Sequence, residues 1–199
     1  MRVNLLLRFK TLIQKMKMPN SLYQQPTMSI EEIMGSKSLK PKEKTELISK
    51  HLVDGSISTN DALTFAQKAK DPDKATIIEA FEFATQKNPA LADKKVFQFV
   101  VDSLHEKAPR IKWESAKVIA NTASLHAKSL DTAIANLLVN TEHAGTVVRW
   151  SAATALAAIL KLKTKHNKEL LPTLENICDQ EEKNSIKKIY QSAFKSIDS

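Results

Sequence analysis

Apolar residues recur at helical spacing along most of this chain, and Pro, Gly and Asp interrupt them at short intervals. After Ser38-Leu39-Lys40-Pro41, the residues Leu47, Ile48 and Leu52 mark one helical face, which Asp54-Gly55-Ser56 breaks. Pro41 suits a first helical turn, where its missing N–H costs nothing. Ser58 or Thr59 caps the next helix, with Ala62, Leu63, Phe65 and Ala66 turned inward. Asp71-Pro72-Asp73 punctuates again, and Ile77, Ile78, Ala80, Phe81 and Ala84 line a helix ending near Asn88-Pro89. Residues 91–104 read as a helix through Val96, Phe97, Val100, Val101 and Leu104, and Pro109 opens a partner that ends near 122–125. A further pair spans 129–139 and 146–162, divided at Gly145, and a last pair spans 167–177 and 184–197. Pro172 is expected to kink the helix it falls in or delay its start. No stretch sustains period-two alternation, so essentially no sheet is expected.

Two segments of the chain copy one another. Ile111-Lys112-Trp113-Glu114-Ser115-Ala116-Lys117-Val118-Ile119-Ala120 aligns with Val148-Arg149-Trp150-Ser151-Ala152-Ala153-Thr154-Ala155-Leu156-Ala157 at an offset of 37 residues. That period is one helix pair, and one pair cannot bury its own apolar face, so pairs must stack. The pattern predicts an all-α, right-handed α-solenoid of about four pairs over residues 38–199.

The copies resemble the second helix of HEAT repeats, which reads Val-Arg-x-x-Ala-Ala-x-Ala-Leu. The segment from Val148 to Leu156 matches at every defined position, Ile111-Lys112 through Ile119 is a looser copy, and Ile186-Lys187 with Ala193-Phe194 and Ile197 is looser still. The resemblance is good over residues 90–199 and reaches back to about 40, and armadillo-like repeats share much of it. It implies Ala at close helix contacts. It also implies an acid six residues before the basic residue, linking adjacent turns: Glu106 stands so before Lys112 and Glu181 before Lys187, whereas Arg149 has His143 at that place and Glu142 one residue earlier.

Charge and cysteine narrow the picture. The net charge is +8, but residues 1–40 carry seven Lys/Arg against two acids, while the remaining 159 carry 23 against 20. The repeat body is close to balance, which argues against reading the basic pI as nucleic-acid binding. Residues 1–27 hold no acid, and Leu5, Leu6, Leu7, Phe9, Leu12, Ile13 and Met16 alternate with Arg2, Arg8, Lys10, Lys15 and Lys17. Three readings stay open for this basic amphipathic or flexible segment, counted as residues 1–37. Residues 1–17 suit an anionic membrane surface. An acid-poor start suits a mitochondrial presequence in a eukaryote. Or the natural start is Met28, set off by Pro19 and Pro26. The single Cys178 excludes an internal disulfide framework, and no apolar run approaches the ~18 residues of a membrane span. A cytoplasmic setting follows as the default.

Chemistry-bearing motifs are absent. The five His are scattered without metal-ligand spacing, the three Gly are isolated, and no nucleophile constellation can be placed, so no catalytic residue, metal or cofactor is expected. Cys178 falls on an apolar helix face as a small hydrophobe. Lys161, Lys163, Lys165 and Lys168 crowd the end of one helix, where cations suit the helix dipole. Trp113 and Trp150 occupy equivalent repeat positions beside Arg110, Lys117 and Arg149. These five are the candidate partner-binding residues, with packing between repeats the preferred reading of the two indoles. The function expected is a non-enzymatic interaction module binding a protein through its concave helix face. The alternative is a nucleic-acid-binding protein like the HEAT-like alkylpurine DNA glycosylases, although no complete catalytic motif of that class is present. A chain beginning at Met28 is expected to fold as the longer one does, checked by circular dichroism and thermal melting of both.

Overall fold

Short capping signals set where the helices start. In the computed structural model, which describes residues 28–197, Ser29 Oγ accepts from Glu32 N–H at 3.2 Å. Glu32 accepts from Ser29 N–H in return at 2.7 Å, opening α1 (Ile30–Gly35). Pro41 opens α2 (Pro41–Asp54), and Gly55 ends it in the left-handed region at φ 80°. Ser58 caps α3 (Thr59–Lys68), and Pro72 lies in the first turn of α4 (Asp71–Lys87). Asp93 accepts from the N–H groups of Lys95 and Val96, which delays α5 (Lys94–Ser103) beyond the start its apolar pattern indicated. Then follow α6 (Pro109–Thr122), α7 (Asp131–Thr141), α8 (Thr146–Leu160), α9 (Asn167–Gln180) and α10 (Asn184–Ile197). No strand occurs among the described residues, and no helix among them is long and apolar enough to cross a membrane. The membrane-surface and presequence readings of residues 1–27 lie outside the described residues.

The helices form five consecutive pairs, α1–α2 to α9–α10, where about four were expected. The difference lies in the first pair, of which α2 was expected and α1 was not. Its α1 falls within the stretch read as N-terminal segment, yet Ile30 and Ile33 are buried in the same core as the repeats that follow. Pro172 neither breaks α9 nor delays it. The ring removes a bond to the Lys168 carbonyl, and both residues lie on the exposed side.

The even-numbered helices pack on one another in an unbroken row, while the odd-numbered helices touch each other sparingly. A stack held tightly along one side curves toward it, so the even helices line the concave side. Ala75, Ala80 and Ala84 of α4, Ala116 of α6, and Ala152, Ala153, Ala155 and Ala157 of α8 are all buried and permit the close approach.

A cation stands at the fourth residue of every even helix: Lys44, Lys74, Lys112, Arg149 and Lys187. Four of them reach back to carbonyls at or beyond the end of the preceding odd helix. Lys44 bonds Met34 O (2.6 Å), Lys112 bonds Leu104 O (2.7 Å), Arg149 bonds His143 O (3.0 Å) and Lys187 bonds Asp179 O (3.3 Å). These are the carbonyls a helix end leaves unpaired, at the negative end of its dipole. The acids therefore pair differently from the expectation. Glu106 bonds Lys74 at 2.7 Å instead of Lys112, and Glu181 bonds Arg149 at 3.0 Å instead of Lys187. Each acid reaches the cation of the preceding pair, because the cation of its own pair is occupied by carbonyl oxygens. Lys112 also meets Asn140 Oδ1 at 3.0 Å, and burial pulls its pKa down.

Ala153 is fully buried. Ala153→Leu is expected to overpack the α8 contact and destabilise the fold by ~1–3 kcal/mol, read as a lowered melting temperature.

Candidate functional site

On an even helix, both flanks meet even neighbours and the back meets odd helices, so one stripe stays open. On α6 that stripe carries Arg110, Trp113, Lys117 and Asn121, all half-buried, at helical steps of three and four. On α8, at the repeat offset of 37, it carries Val147, Trp150 and Thr154. Trp150 is 40% and Val147 is 52% exposed. On α10 it carries Ser185, Lys188 and Ser192, all exposed.

The structure brings four of the five candidate residues onto this face. Arg110 donates to Glu79 Oε2 at 2.7 Å, and Thr45 Oγ1 donates to the same oxygen at 2.9 Å, so three even helices meet at one carboxylate. Lys117 bridges two buried acids, with its Nζ 3.3 Å from Glu82 Oε2 and 3.0 Å from Glu114 Oε2. Trp113 donates its indole N–H to Glu114 Oε1 at 2.7 Å. Gln86 donates to Glu82 Oε1, and Asn121 donates to the Glu82 backbone carbonyl at 3.2 Å. Arg149 stands apart. Its guanidinium binds Glu181 and the His143 and Ala144 carbonyls, in the layer of loops before the even helices.

Burial pushes the Glu82 carboxyl above its usual pKa, against the pull of Lys117. Burial also opposes the charge on Lys117, but the hydrogen bond and charge of Glu114, joined by Glu82, outweigh it and hold the Lys117 pKa high. The hydrogen bond that Arg149 donates to Glu181 leads in raising the Arg149 pKa. Burial works against the Glu181 charge, yet the Arg149 hydrogen bond and those of the neighbouring backbone N–H groups hold its pKa down.

The indoles divide between the two readings of them. Trp113 is half-buried with its N–H satisfied, whereas Trp150 is 40% exposed. Sequence reasoning missed the buried carboxylates Glu82 and Glu114 and the half-buried Glu79. A signal existed for Glu82, an acid set among Ile77, Ile78, Ala80, Phe81 and Ala84. Cys178 is buried, with burial first in raising its thiol pKa. Among the described residues no group of three or more His, Cys, Asp or Glu converges as a metal site would require.

Glu82 has a pH consequence. Below its ordinary value of 4.5 the carboxyl is protonated in folded and unfolded chains alike. As pH rises from there through the raised native pKa, the unfolded chain gives up its proton first, and native stability is lost. Glu82→Gln removes that loss. Melting temperatures across this window are expected to shift in favour of the variant, relative to the parent, as pH rises.

No family model and no curated protein matches the sequence. Solved structures do match the fold. A designed armadillo repeat protein in complex with the peptide (KR)4 superposes with a TM-score of 0.64 at 17% identity, covering 84% of this chain and 80% of that one. Computationally designed armadillo repeat proteins for modular peptide recognition give 0.60 at 16% identity, over 78% and 74% of the two chains. An engineered protein gives 0.56 at 14% identity, over 86% and 97%. With ten α-helices in five stacked pairs among its described residues, the chain has the fold of an armadillo/HEAT-like α-solenoid.

Proposed function

We infer that the chain is a non-enzymatic cytoplasmic scaffold that binds a protein partner, as an extended segment, along the open face of its even helices. The carrying observation is Trp150, 40% exposed at the repeat position that Trp113 holds one helix pair earlier. Two large aromatics on adjacent helices provide apolar anchors at little conformational cost, which is why Trp is enriched among residues that dominate protein–protein affinity. Arg110 and Lys117 border these anchors, and Arg149 holds the α7–α8 loop at the end of the same face. The designed armadillo proteins support the reading through their fold, since one is named for modular peptide recognition and another holds a peptide.

Nucleic-acid engagement in the manner of alkylpurine DNA glycosylases is less well supported. Arg110, Lys117 and Arg149 are each bonded to carboxylates, which leaves them little charge to give to phosphates.

The test is affinity capture from the native source with mass spectrometry, run with and without nuclease. A protein partner is expected to survive nuclease. It is expected to weaken by about 2 kcal/mol, roughly thirtyfold, on Trp150→Ala and to a lesser degree on Trp113→Ala. Capture that disappears with nuclease, or that neither substitution changes at unaltered melting temperature, rejects the reading.

A further inference from the structure

Charge is distributed unevenly among the even helices. Helix α2 holds Glu43, Glu46 and Asp54, α4 holds Asp71, Asp73, Glu79 and Glu82, and α6 holds Glu114. Helices α8 and α10 contain no Asp or Glu at all. On α6 the open-face cations are matched, since Arg110 pairs with Glu79 and Lys117 with Glu82 and Glu114. Beyond α6 the situation reverses. Among the described residues, neither Lys188, exposed on the open stripe of α10, nor Lys161, exposed where the α8 stripe ends, forms an ion pair. Between α6 and α10 lie the exposed Val147 and Trp150. This half of the concave face therefore combines an apolar anchor with uncompensated positive charge.

We propose that the open face of α8 and α10 docks an extended peptide segment that is apolar and acidic, its apolar side chain covering Trp150 and Val147 and its carboxylates meeting Lys188 and Lys161. The proposal rests on the protein-binding reading above and specifies its ligand. Complementarity selects the sign. A basic peptide would find no carboxylate on the helices α8 and α10 themselves, and on the α4–α6 half the acids Glu82 and Glu114 are buried against Lys117. The preference is thus opposite to that of the designed relative carrying (KR)4. A nucleic acid would also answer positive charge, and Lys163, Lys165 and Lys168 crowd near Lys161, so an oligonucleotide is the competing probe. An exposed ion pair adds only modest affinity. The two lysines therefore set sign and register, while Trp150 supplies most of the binding.

The test uses the full chain and fluorescence anisotropy of labelled probes at physiological salt. One peptide alternates Glu and Asp with Leu and Phe, a second replaces its acids with Lys and Arg, and a third probe is a single-stranded oligonucleotide. The acidic peptide is expected to bind at least about tenfold more tightly than the basic one. Trp150→Ala and Lys188→Glu should each weaken it by about tenfold or more, with Lys188→Glu narrowing the preference between the peptides. Lys42→Glu, on the exposed surface of α2, should leave it unchanged. Circular dichroism and melting confirm that each variant is folded. If the basic peptide binds more tightly and still requires Trp150, the acidic-ligand proposal falls while the protein-binding reading stands. If the oligonucleotide binds more tightly than either peptide, or if no probe responds to Trp150→Ala, both fall.

Discussion

The close approach of the even helices is what everything else in this structure depends on. Two helices pack with axes 8–10 Å apart depending on the side chains between them, and small side chains allow the lower end of that range. In α8 the sequence Ser151-Ala152-Ala153-Thr154-Ala155-Leu156-Ala157 places small residues on both flanks, with Leu156, Ile159 and Leu160 turned to the core. With flanks this thin, α6 and α10 both reach α8, and the row continues. The odd helices have no such uninterrupted contact, so the stack is tighter on one side, and curvature follows from residue size. The concave face is a by-product of packing, and its chemistry is carried by the few positions that packing leaves open.

A tight stack creates an electrostatic problem that the fourth-residue cations answer. Every helix pair leaves unpaired carbonyls at the end of its first helix, close to the beginning of its second. A flexible Lys or Arg from the first turn of the second helix satisfies those carbonyls at no cost to the apolar contacts. Arg149 and Lys112 go further, with Arg149 bonding Glu181 and Lys112 bonding Asn140, and so tie one pair to the next. The odd layer has its own version. Asn136 and Asn140 of α7 donate to the carbonyls of Val101 and Leu104 at the end of α5. His126 bonds the Ala92 carbonyl at 2.8 Å and stacks on Phe97 with ring centroids 4.0 Å apart. Polar side chains thus hold the layer that apolar packing holds less firmly.

Much of this was legible in the sequence, for reasons that can be assigned. The helices were visible because apolar spacing and capping residues are local signals. The stacking was visible because a repeat must present the same contact face each time, so α6 and α8 carry nearly the same residues. The α1–α2 pair was harder to see, since α1 is a single short helix whose only apolar marks are Ile30, Ile33 and Met34. The ion pairs were misread because spacing along the chain identifies partners within a pair, while Glu106 and Glu181 answer cations one pair earlier. That correspondence exists only once the stack has formed.

The same limit applies with more force to the open face. Arg110, Trp113, Lys117 and Trp150 could be named from the repeat register, but whether a cation is free is a property of its neighbours across helices. Lys117 looks available in the sequence and is enclosed by Glu82 and Glu114, one of them from a different helix. Lys188 looks like one more basic residue near a helix start and forms no ion pair among the described residues, since α8 beside it supplies no acid. Compensation here runs within and between adjacent even helices: Glu79 and Glu82 of α4 and Glu114 of α6 answer the α6 cations, whereas α8 carries no acid and its open stripe meets a cation only at its end, Lys161. The face therefore changes character at α8, where the exposed indole stands. A ligand that spans the change must be apolar at its centre, and the charge it carries toward α10 must be negative.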